Sequence, residues 1–122
     1  MAQIINLNTF SDYRGNLTVI EKILTFEIKR VFYIYNIPSK NITRGGHRHR
    51  RITEALICLK GRCEIANNDG NKKENFVLDS PEKCLILQPK DWRIIHDFSK
   101  EAILLVLASE YYNPNDYIEE EY

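Results

Sequence analysis

The chain is poor in several features that would place it in a specialised class of protein. It has three cysteines, Cys58, Cys63 and Cys84, an odd number with no Cys-x-x-Cys pair. Two of them lie in apolar, strand-like segments, so free buried thiols in a reducing compartment are expected. Neither sign of charge dominates, because 17 basic residues balance 17 acidic ones. This balance gives no argument for binding to nucleic acid or to a membrane.

Long hydrophobic runs are also missing. The longest, at residues 102–108, is far shorter than the ~20 residues that cross a bilayer. The N-terminal stretch MAQIINLNTFSDYRG has no basic region followed by an apolar run, so it does not predict a secretory signal. A length of 122 residues is typical of one domain. We therefore expect a single cytoplasmic domain that spans residues 1–122.

Helical periodicity is scarce, and short apolar or alternating runs recur between turn residues. These runs are NLTVIE, IKRVFYIYNI, EALICLKG, RCEIA, ENFVL, KCLIL and EAILLVLAS. Short strands at this spacing are typical of an all-β sandwich or barrel. The continuous apolar runs predict core strands that are buried on both faces or packed at a subunit contact. The polar and aromatic tail at residues 111–122 is predicted to be a surface arm.

A basic, histidine-containing segment, TRGGHRHRRITE, carries the candidate chemistry. Alternate residues of a strand face the same side, so His47 and His49 point together, whereas Arg48 and Arg50 point away. The two glycines just before them allow the backbone to turn and leave room for a ligand. The histidine pair is therefore predicted to line a cavity in a small barrel, with the two alternating arginines solvated or salt-bridged.

The spacing of His47, His49, Glu54 and Gly61 is that of the first motif of the cupin superfamily, and LILQPKDW resembles the second motif. The resemblance implies a cupin jelly-roll barrel in which the histidines point inward. In metal-binding cupins these two histidines and the glutamate ligate a metal together with a second-motif histidine. Here Arg93 occupies that last position, and an arginine cannot ligate. Two histidines and one carboxylate still match the facial triad of non-haem iron sites, so a metal-dependent enzyme stays an alternative.

A more specific resemblance covers nearly the whole chain. The segments DYRGNLTVIE, FEIKRVFYIYNI, RGGHRHRR, ALICLKGRCEI, FVLDSPEKCLIL, HDFS and LLVLASEYYNPNDYI follow the order and spacing of the WxcM-like sugar 3,4-ketoisomerases. That family converts dTDP-4-oxo-6-deoxyglucose to its 3-oxo isomer, on the way to amino sugars of bacterial surface polysaccharides, and it dispenses with metal. The resemblance implies an isomerase without a cofactor. It also implies a homodimer, often with exchanged N-terminal strands.

Carried onto this chain, the resemblance implies that His49 moves a proton between C3 and C4 of the sugar, with His47 as its neighbour. One imidazole serves both steps because its unperturbed pKa lies near neutral pH. The developing enediolate needs a hydrogen-bond donor, and the candidates are His47, Tyr33 and Arg93.

The nucleotide part of such a substrate needs cations for two phosphates and an aromatic surface for thymine. The planar fork of arginine binds phosphate oxygens in pairs. The candidates are Arg14, Arg44 and Arg51, with Lys29 and Arg30 behind them. The candidates for the thymine ring are Tyr33, Tyr35 and Trp92. Because of the exchanged strands, Arg14 is predicted to serve the partner's site, whereas His96 is predicted to be structural, bonded to Asp97 or to the backbone.

Two residues depart from those usual in this family, Arg93 and Glu54. A non-catalytic domain that binds nucleotide sugars therefore stays open as a third hypothesis. Near-stoichiometric metal in the purified protein would favour the metal-dependent cupin enzyme. Binding of a dTDP-sugar without formation of an isomer would favour the non-catalytic domain.

Overall fold

The computed structural model describes residues 2–122, which form an all-β fold, as predicted. The strands are β1 Gln3–Asn6, β2 Asn8–Asp12, β3 Gly15–Val19, β4 Arg30–Tyr35, β5 Arg44–His49, β6 Glu54–Lys60, β7 Cys63–Asn68, β8 Lys73–Leu78, β9 Lys83–Leu87, β10 Trp92–His96, β11 Ile103–Ala108 and β12 Tyr117–Ile118. A 3-10 turn at Pro114–Asp116 precedes the last strand. Each apolar run singled out in the sequence coincides with one of these strands.

Ten of the strands form two antiparallel sheets of five strands each. The first sheet has the order β1-β9-β6-β11-β4, and the second has the order β12-β5-β10-β7-β8. The strands β2 and β3 pair only with each other, as a hairpin. Several consecutive strands therefore belong to different sheets. Most neighbouring strands within a sheet come from distant parts of the sequence.

The main core lies between the two sheets. Its members come from both: Leu56, Cys58, Leu85, Leu87, Leu104 and Val106 from the first sheet, and Cys63, Ile65, Leu78 and Ile95 from the second. A second apolar cluster, which includes Ala55 and Ile57, joins the outer face of the first sheet to residues 20–26. The strand β6 is thus buried on both faces, as its continuous apolar sequence predicts. Each fully buried aliphatic side chain contributes about 1.5–3 kcal/mol.

The two glycines of β5 bend the strand just before the histidines. Gly45 and Gly46 have φ angles of 89° and 75°, in the left-handed region that glycine favours. The pairing between β10 and β5 shifts register at this point, between Arg93 and Ile94. A Cβ atom on Gly45 would lie 2.9 Å from the carbonyl oxygen of Arg93. The close approach of the Arg93 backbone therefore also requires glycine at this position.

The C-terminal segment is not simply a surface arm. Tyr117 and Ile118 pair with His49 and Arg48 of β5, and so add a strand to the second sheet. Asp116, in the turn before them, is only 6% exposed. The prediction of a surface arm is wrong for these residues because a long-range strand pairing draws them against the barrel.

The three cysteines, Cys58, Cys63 and Cys84, are free and buried, as the sequence indicated. Within residues 2–122, no helix is long and apolar enough to cross a membrane.

Candidate active site

A cavity of about 390 Å³ lies between the two sheets. The first sheet contributes side chains of β4, β6 and β11, the second contributes side chains of β5 and β10, and two tyrosines come from the C-terminal segment. The lining residues are Arg30, Phe32, Ile34, Arg44, Gly45, His47, Glu54, Leu56, Arg93, Ile95, Val106, Tyr112 and Tyr117. Cations and a histidine thus share one interior space with apolar walls.

The two histidines do point together, but they have different surroundings. Their rings pack edge to face with centroids 4.9 Å apart, and the ring of Tyr117 lies 4.6 Å from each of them. His47 lines the cavity. His49 is 3% exposed and lies outside the lining set, and its Nδ1 is 3.1 Å from Oδ2 of Asp116. His47 is therefore the histidine that a molecule in the cavity would meet.

Burial keeps both imidazoles neutral. It lowers the pKa of His47 to about 4, and the positive charge of Arg93 adds to this effect. Burial also lowers the pKa of His49 to about 3, again with Arg93 acting in the same direction. At neutral pH each ring consequently has one nitrogen with a free lone pair. His47 is present in the form in which an imidazole accepts a proton.

Arg93 and Glu54 form an ion pair in the wall of the cavity. The Nη1 of Arg93 donates to Oε1 of Glu54 at 2.9 Å, and the guanidinium also donates to the carbonyl oxygens of Asp91 and Gln88. Arg93 is 1% exposed. Burial raises the pKa of Glu54, although the charge of Arg93 opposes the rise. These contacts hold the guanidinium in one orientation beside His47, the residue opposite Arg93 in the strand pairing.

Two further arginines make the cavity positive, Arg30 and Arg44. The guanidinium of Arg30 lies 4.4 Å from the ring centroid of Phe32 and 5.1 Å from that of Tyr112. Its Nη1 is buried and has no hydrogen-bond partner among the residues that the structure describes. A buried donor without a partner is costly. Arg30 is therefore arranged to bind an acceptor that enters the cavity.

Several residues predicted for the site lie elsewhere in this chain. Arg14 is in the β2–β3 hairpin and pairs with Asp12, and Arg51 is exposed. Alternation along β4 turns Phe32 and Ile34 inward, so Tyr33 and Tyr35 face outward, where their rings stack with centroids 5.6 Å apart. Trp92 lies outside the cavity and donates from Nε1 to the carbonyl oxygen of Glu119. Within one chain the cavity thus excludes Arg14, Arg51, Tyr33, Tyr35 and Trp92.

The remaining basic and histidine residues match their predicted surroundings. Arg48 donates to the carbonyl oxygen of Glu120, and Arg50 donates to that of Asn115, both on the outer side of β5. His96 contacts Asp97, with 3.3 Å between Nδ1 and Oδ2, and its Nε2 is 2.8 Å from Oδ1 of Asn75. The structural environment predicted for His96 is confirmed.

Sequence reasoning missed the contribution of the C-terminal segment. Tyr112 and Tyr117 line the cavity, and Asp116 contacts His49 from behind. The available signal was the segment LLVLASEYYNPNDYI, which is not a general cupin feature. This segment supports the family resemblance but does not by itself locate the site.

The residues of the metal alternative do not come together as ligands. The Oε1 of Glu54 is bonded to Arg93 and lies 4.0 Å from Nε2 of His49. Within residues 2–122, the three side chains with ligand atoms all within 4.8 Å of one another are Glu64, His96 and Asp97, outside the cavity. A guanidinium beside the carboxylate also repels a divalent cation. The arrangement of His47, His49 and Glu54 does not fit a metal triad.

Two facing antiparallel sheets with an inward-facing histidine pair define a cupin-type barrel. A model of the FdtA family, described as WxcM-like, C-terminal, matches residues 1–122, and the chain belongs to this family. It is 41% identical over 118 residues to a TDP-4-oxo-6-deoxy-alpha-D-glucose-3,4-oxoisomerase of Aneurinibacillus thermoaerophilus, covering 95% of this chain and 84% of the relative.

Solved structures give the same result. A histidine-to-asparagine mutant of a 3,4-ketoisomerase from Thermoanaerobacterium thermosaccharolyticum, in complex with TDP-4-keto-6-deoxyglucose, is 40% identical with a TM-score of 0.93, covering 98% of this chain and 87% of that one. A dTDP-6-deoxy-D-glucose-3,5-epimerase from Legionella pneumophila, with 14% identity and a TM-score of 0.80 over 95% of this chain and 70% of that one, shares the fold. The predicted fold class, a cupin barrel, is confirmed.

Proposed function

We propose that the protein is a nucleotide-sugar 3,4-ketoisomerase that acts on a dTDP-4-oxo-6-deoxyhexose without a metal, in the synthesis of deoxyamino sugars for surface polysaccharide. The observation that carries the proposal is that a neutral imidazole, His47, lines the same cavity as three arginines. A base is needed to remove a proton beside a carbonyl, and cations are needed for the charges of a diphosphate. The related enzymes are named for this reaction.

In the proposed mechanism, His47 removes the proton from C3 and later returns it to C4. Loss of that proton forms a double bond between C3 and C4 and leaves an electron pair on the C4 oxygen, which takes the proton of the C3 hydroxyl. The C3 oxygen then becomes the carbonyl oxygen, and C4 receives the proton held by His47. Arg93, fixed by Glu54, supplies positive charge where the oxygen becomes negative. The geometry favours His47 for the role that the family resemblance implies for His49.

Incubation with dTDP-4-oxo-6-deoxyglucose in deuterium oxide tests this function. If one base moves the proton and exchanges it with solvent, NMR spectra should show a 3-oxo product that carries deuterium at C4. Purification without a metal-affinity tag and treatment with a chelator should leave the rate unchanged. Binding of the nucleotide sugar without product would instead favour a non-catalytic binding domain.

Replacing Arg30 with methionine is expected to raise the dissociation constant of dTDP about tenfold or more. A hydrogen bond to a charged group contributes about 1.5–3 kcal/mol, and ~1.4 kcal/mol corresponds to a factor of ten. Methionine keeps the apolar contact with Phe32 and Tyr112 and removes the unpartnered donor. Isothermal titration calorimetry at two salt concentrations measures the effect, and wild-type binding should weaken with salt.

The matched control for this variant is Arg62→Met. Arg62 is a half-exposed arginine that pairs with Glu64 outside the cavity, so its loss should leave nucleotide binding unchanged. Equal dissociation constants for wild-type protein and Arg30→Met would place the phosphates away from Arg30.

The proposal includes a homodimer in which the β2–β3 hairpin packs on the partner subunit. Phe10, Tyr13 and Leu17 of the hairpin are 65%, 97% and 61% exposed, and Tyr33 and Tyr35 form a second exposed apolar area on β4. A second copy of the chain would cover these surfaces and bring Arg14 to its cavity. Sedimentation equilibrium should give twice the chain mass at micromolar concentration, and Phe10→Ser with Leu17→Ser should give a monomer. A wild-type monomer contradicts the proposal.

A further inference from the structure

Asp116 is the buried acidic residue of the C-terminal segment, and three nitrogen atoms lie within hydrogen-bond distance of its carboxylate. Its Oδ1 accepts from the backbone N–H of Arg51 at 3.0 Å, and its Oδ2 accepts from the N–H of Ile52 at 3.2 Å. The third contact is the 3.1 Å distance from Oδ2 to Nδ1 of His49. The carboxylate is thereby fixed against the ring of His49, 67 positions away in the sequence.

This contact selects one tautomer of His49. An ionised carboxylate can only accept hydrogen bonds, so Nδ1 of His49 must be the nitrogen that carries hydrogen. A neutral imidazole has a single N–H, and Nε2 therefore carries the lone pair. Nε2 is buried and has no hydrogen-bond partner among the described residues.

The free Nε2 faces the ion pair of the cavity wall. It lies 4.0 Å from Oε1 of Glu54, the same oxygen that accepts from Arg93 at 2.9 Å. In the other tautomer an Nε2–H would point at this oxygen, and closing the 4.0 Å gap to a hydrogen bond would move the carboxylate of Glu54 relative to Arg93. With Nε2 bare, Arg93 is the donor to Glu54, and its guanidinium keeps its orientation in the cavity.

We propose that Asp116 is a positioning residue of the candidate active site, which holds His49 in the Nδ1–H tautomer and so leaves the Glu54–Arg93 ion pair undisturbed. The consequence for turnover rests on the proposed function. The consequence for the tautomer of His49 does not, because it follows from the contacts of the folded chain alone. Asp116 acts through His49 and does not line the cavity.

A structural role for Asp116 must be separated from this one, since the carboxylate also binds two backbone N–H groups. Ser109→Ala is the matched control, because it removes a comparable hydrogen bond to the backbone of the same bend. Oγ of Ser109 accepts a hydrogen bond from the N–H of Thr53 at 2.9 Å and does not contact His49. The test compares wild-type protein, Asp116→Asn and Ser109→Ala by long-range proton–nitrogen NMR of the histidine rings, thermal unfolding and isomerase kinetics. The single variant His49→Asn and the double variant His49→Asn/Asp116→Asn complete a double-mutant cycle.

In wild-type protein, Nδ1 of His49 should carry hydrogen and Nε2 should show the shift of a bare nitrogen. Asp116→Asn should move hydrogen to Nε2 and lower kcat by ~10–100-fold, the scale observed when a carboxylate that orients a metal-bound histidine is lost, with a smaller change in KM. Ser109→Ala should change neither the tautomer of His49 nor kcat. In the His49→Asn background, Asp116→Asn should cause no further loss of kcat.

An Nε2–H tautomer in wild-type protein overturns the proposal even if Asp116→Asn does not fold. Equal factors of kcat loss in both backgrounds also overturn it. Absence of isomerase activity in the wild type counts against the proposed function. The NMR measurement of the His49 tautomer still tests the role of Asp116 in that case.

Discussion

Replacing His47 with asparagine is expected to lower turnover by ~10²–10⁴-fold, the usual scale for a positioned general base. Asparagine is polar and smaller than histidine, but it cannot take a proton from carbon near neutral pH. His47 lines the cavity and is neutral in the folded protein, since burial and Arg93 lower its pKa to about 4. The variant should keep its fold and its affinity for dTDP. Single-turnover assays and calorimetry measure the two properties separately.

Two other histidine variants give this experiment its controls. His96→Asn changes a side chain held by Asn75 and Asp97 outside the cavity, so its turnover should match that of the wild type. His49→Asn should cost less than His47→Asn, because His49 does not line the cavity. If His49→Asn abolishes turnover and His47→Asn retains it, the role of base belongs to His49, as the sequence suggested.

Much of the barrel could be predicted because its strands follow the two-residue period of side chains. The alternation in TRGGHRHRR placed His47 and His49 on one face and the neighbouring arginines on the other, and the structure agrees. The spacing from these histidines to Glu54 and Gly61 pointed to a cupin barrel. That spacing is local, because it runs along two consecutive strands, β5 and β6, with the bend between them and the glycine that directly follows β6.

The alternation pattern could not predict which face of β4 points inward. Its sequence, RVFYIY, is apolar at nearly every position, so alternation alone leaves two equivalent choices of register. The chemistry of tyrosine suits a binding site and favours the face with Tyr33 and Tyr35. In the structure the opposite face, with Arg30, Phe32 and Ile34, points inward, because Phe32 and Ile34 pack against the core.

The C-terminal contribution depends on a contact between distant parts of the chain. Asp116 and Tyr117 reach the histidines because β12 pairs with β5, and a strand of only two residues is too short for a local pattern to predict such a pairing. The burial of Arg93 could not be predicted from the sequence for a similar reason, because it also depends on a long-range contact. An arginine in a strand is ordinarily exposed, and here its charge is matched by Glu54 from the opposite sheet.

Replacing Arg93 with methionine is expected to lower the free energy of unfolding by about 3–5 kcal/mol, the usual cost of removing one member of a buried ion pair. Methionine fills most of the space but leaves Glu54 buried without its cation. Arg62→Met is the matched control, because Arg62, which pairs with Glu64 at 2.7 Å, is half-exposed. An exposed pair contributes less than about 1 kcal/mol. Urea unfolding followed by fluorescence measures both variants.

The decrease in the free energy of unfolding caused by Arg93→Met should also depend on pH, because it depends on the protonation of Glu54. Burial already raises the pKa of Glu54, and removal of Arg93 takes away the charge that opposes this rise. A carboxyl group with a raised folded-state pKa stabilises the fold below its unfolded pKa, and this contribution disappears as the pH rises through the folded value. The deficit of Arg93→Met relative to wild type should therefore grow as the pH rises above 4.5, the ordinary pKa of a glutamate side chain. A deficit that shrinks with rising pH, or that equals the deficit of Arg62→Met, would show that Arg93 does not stabilise the charge of Glu54.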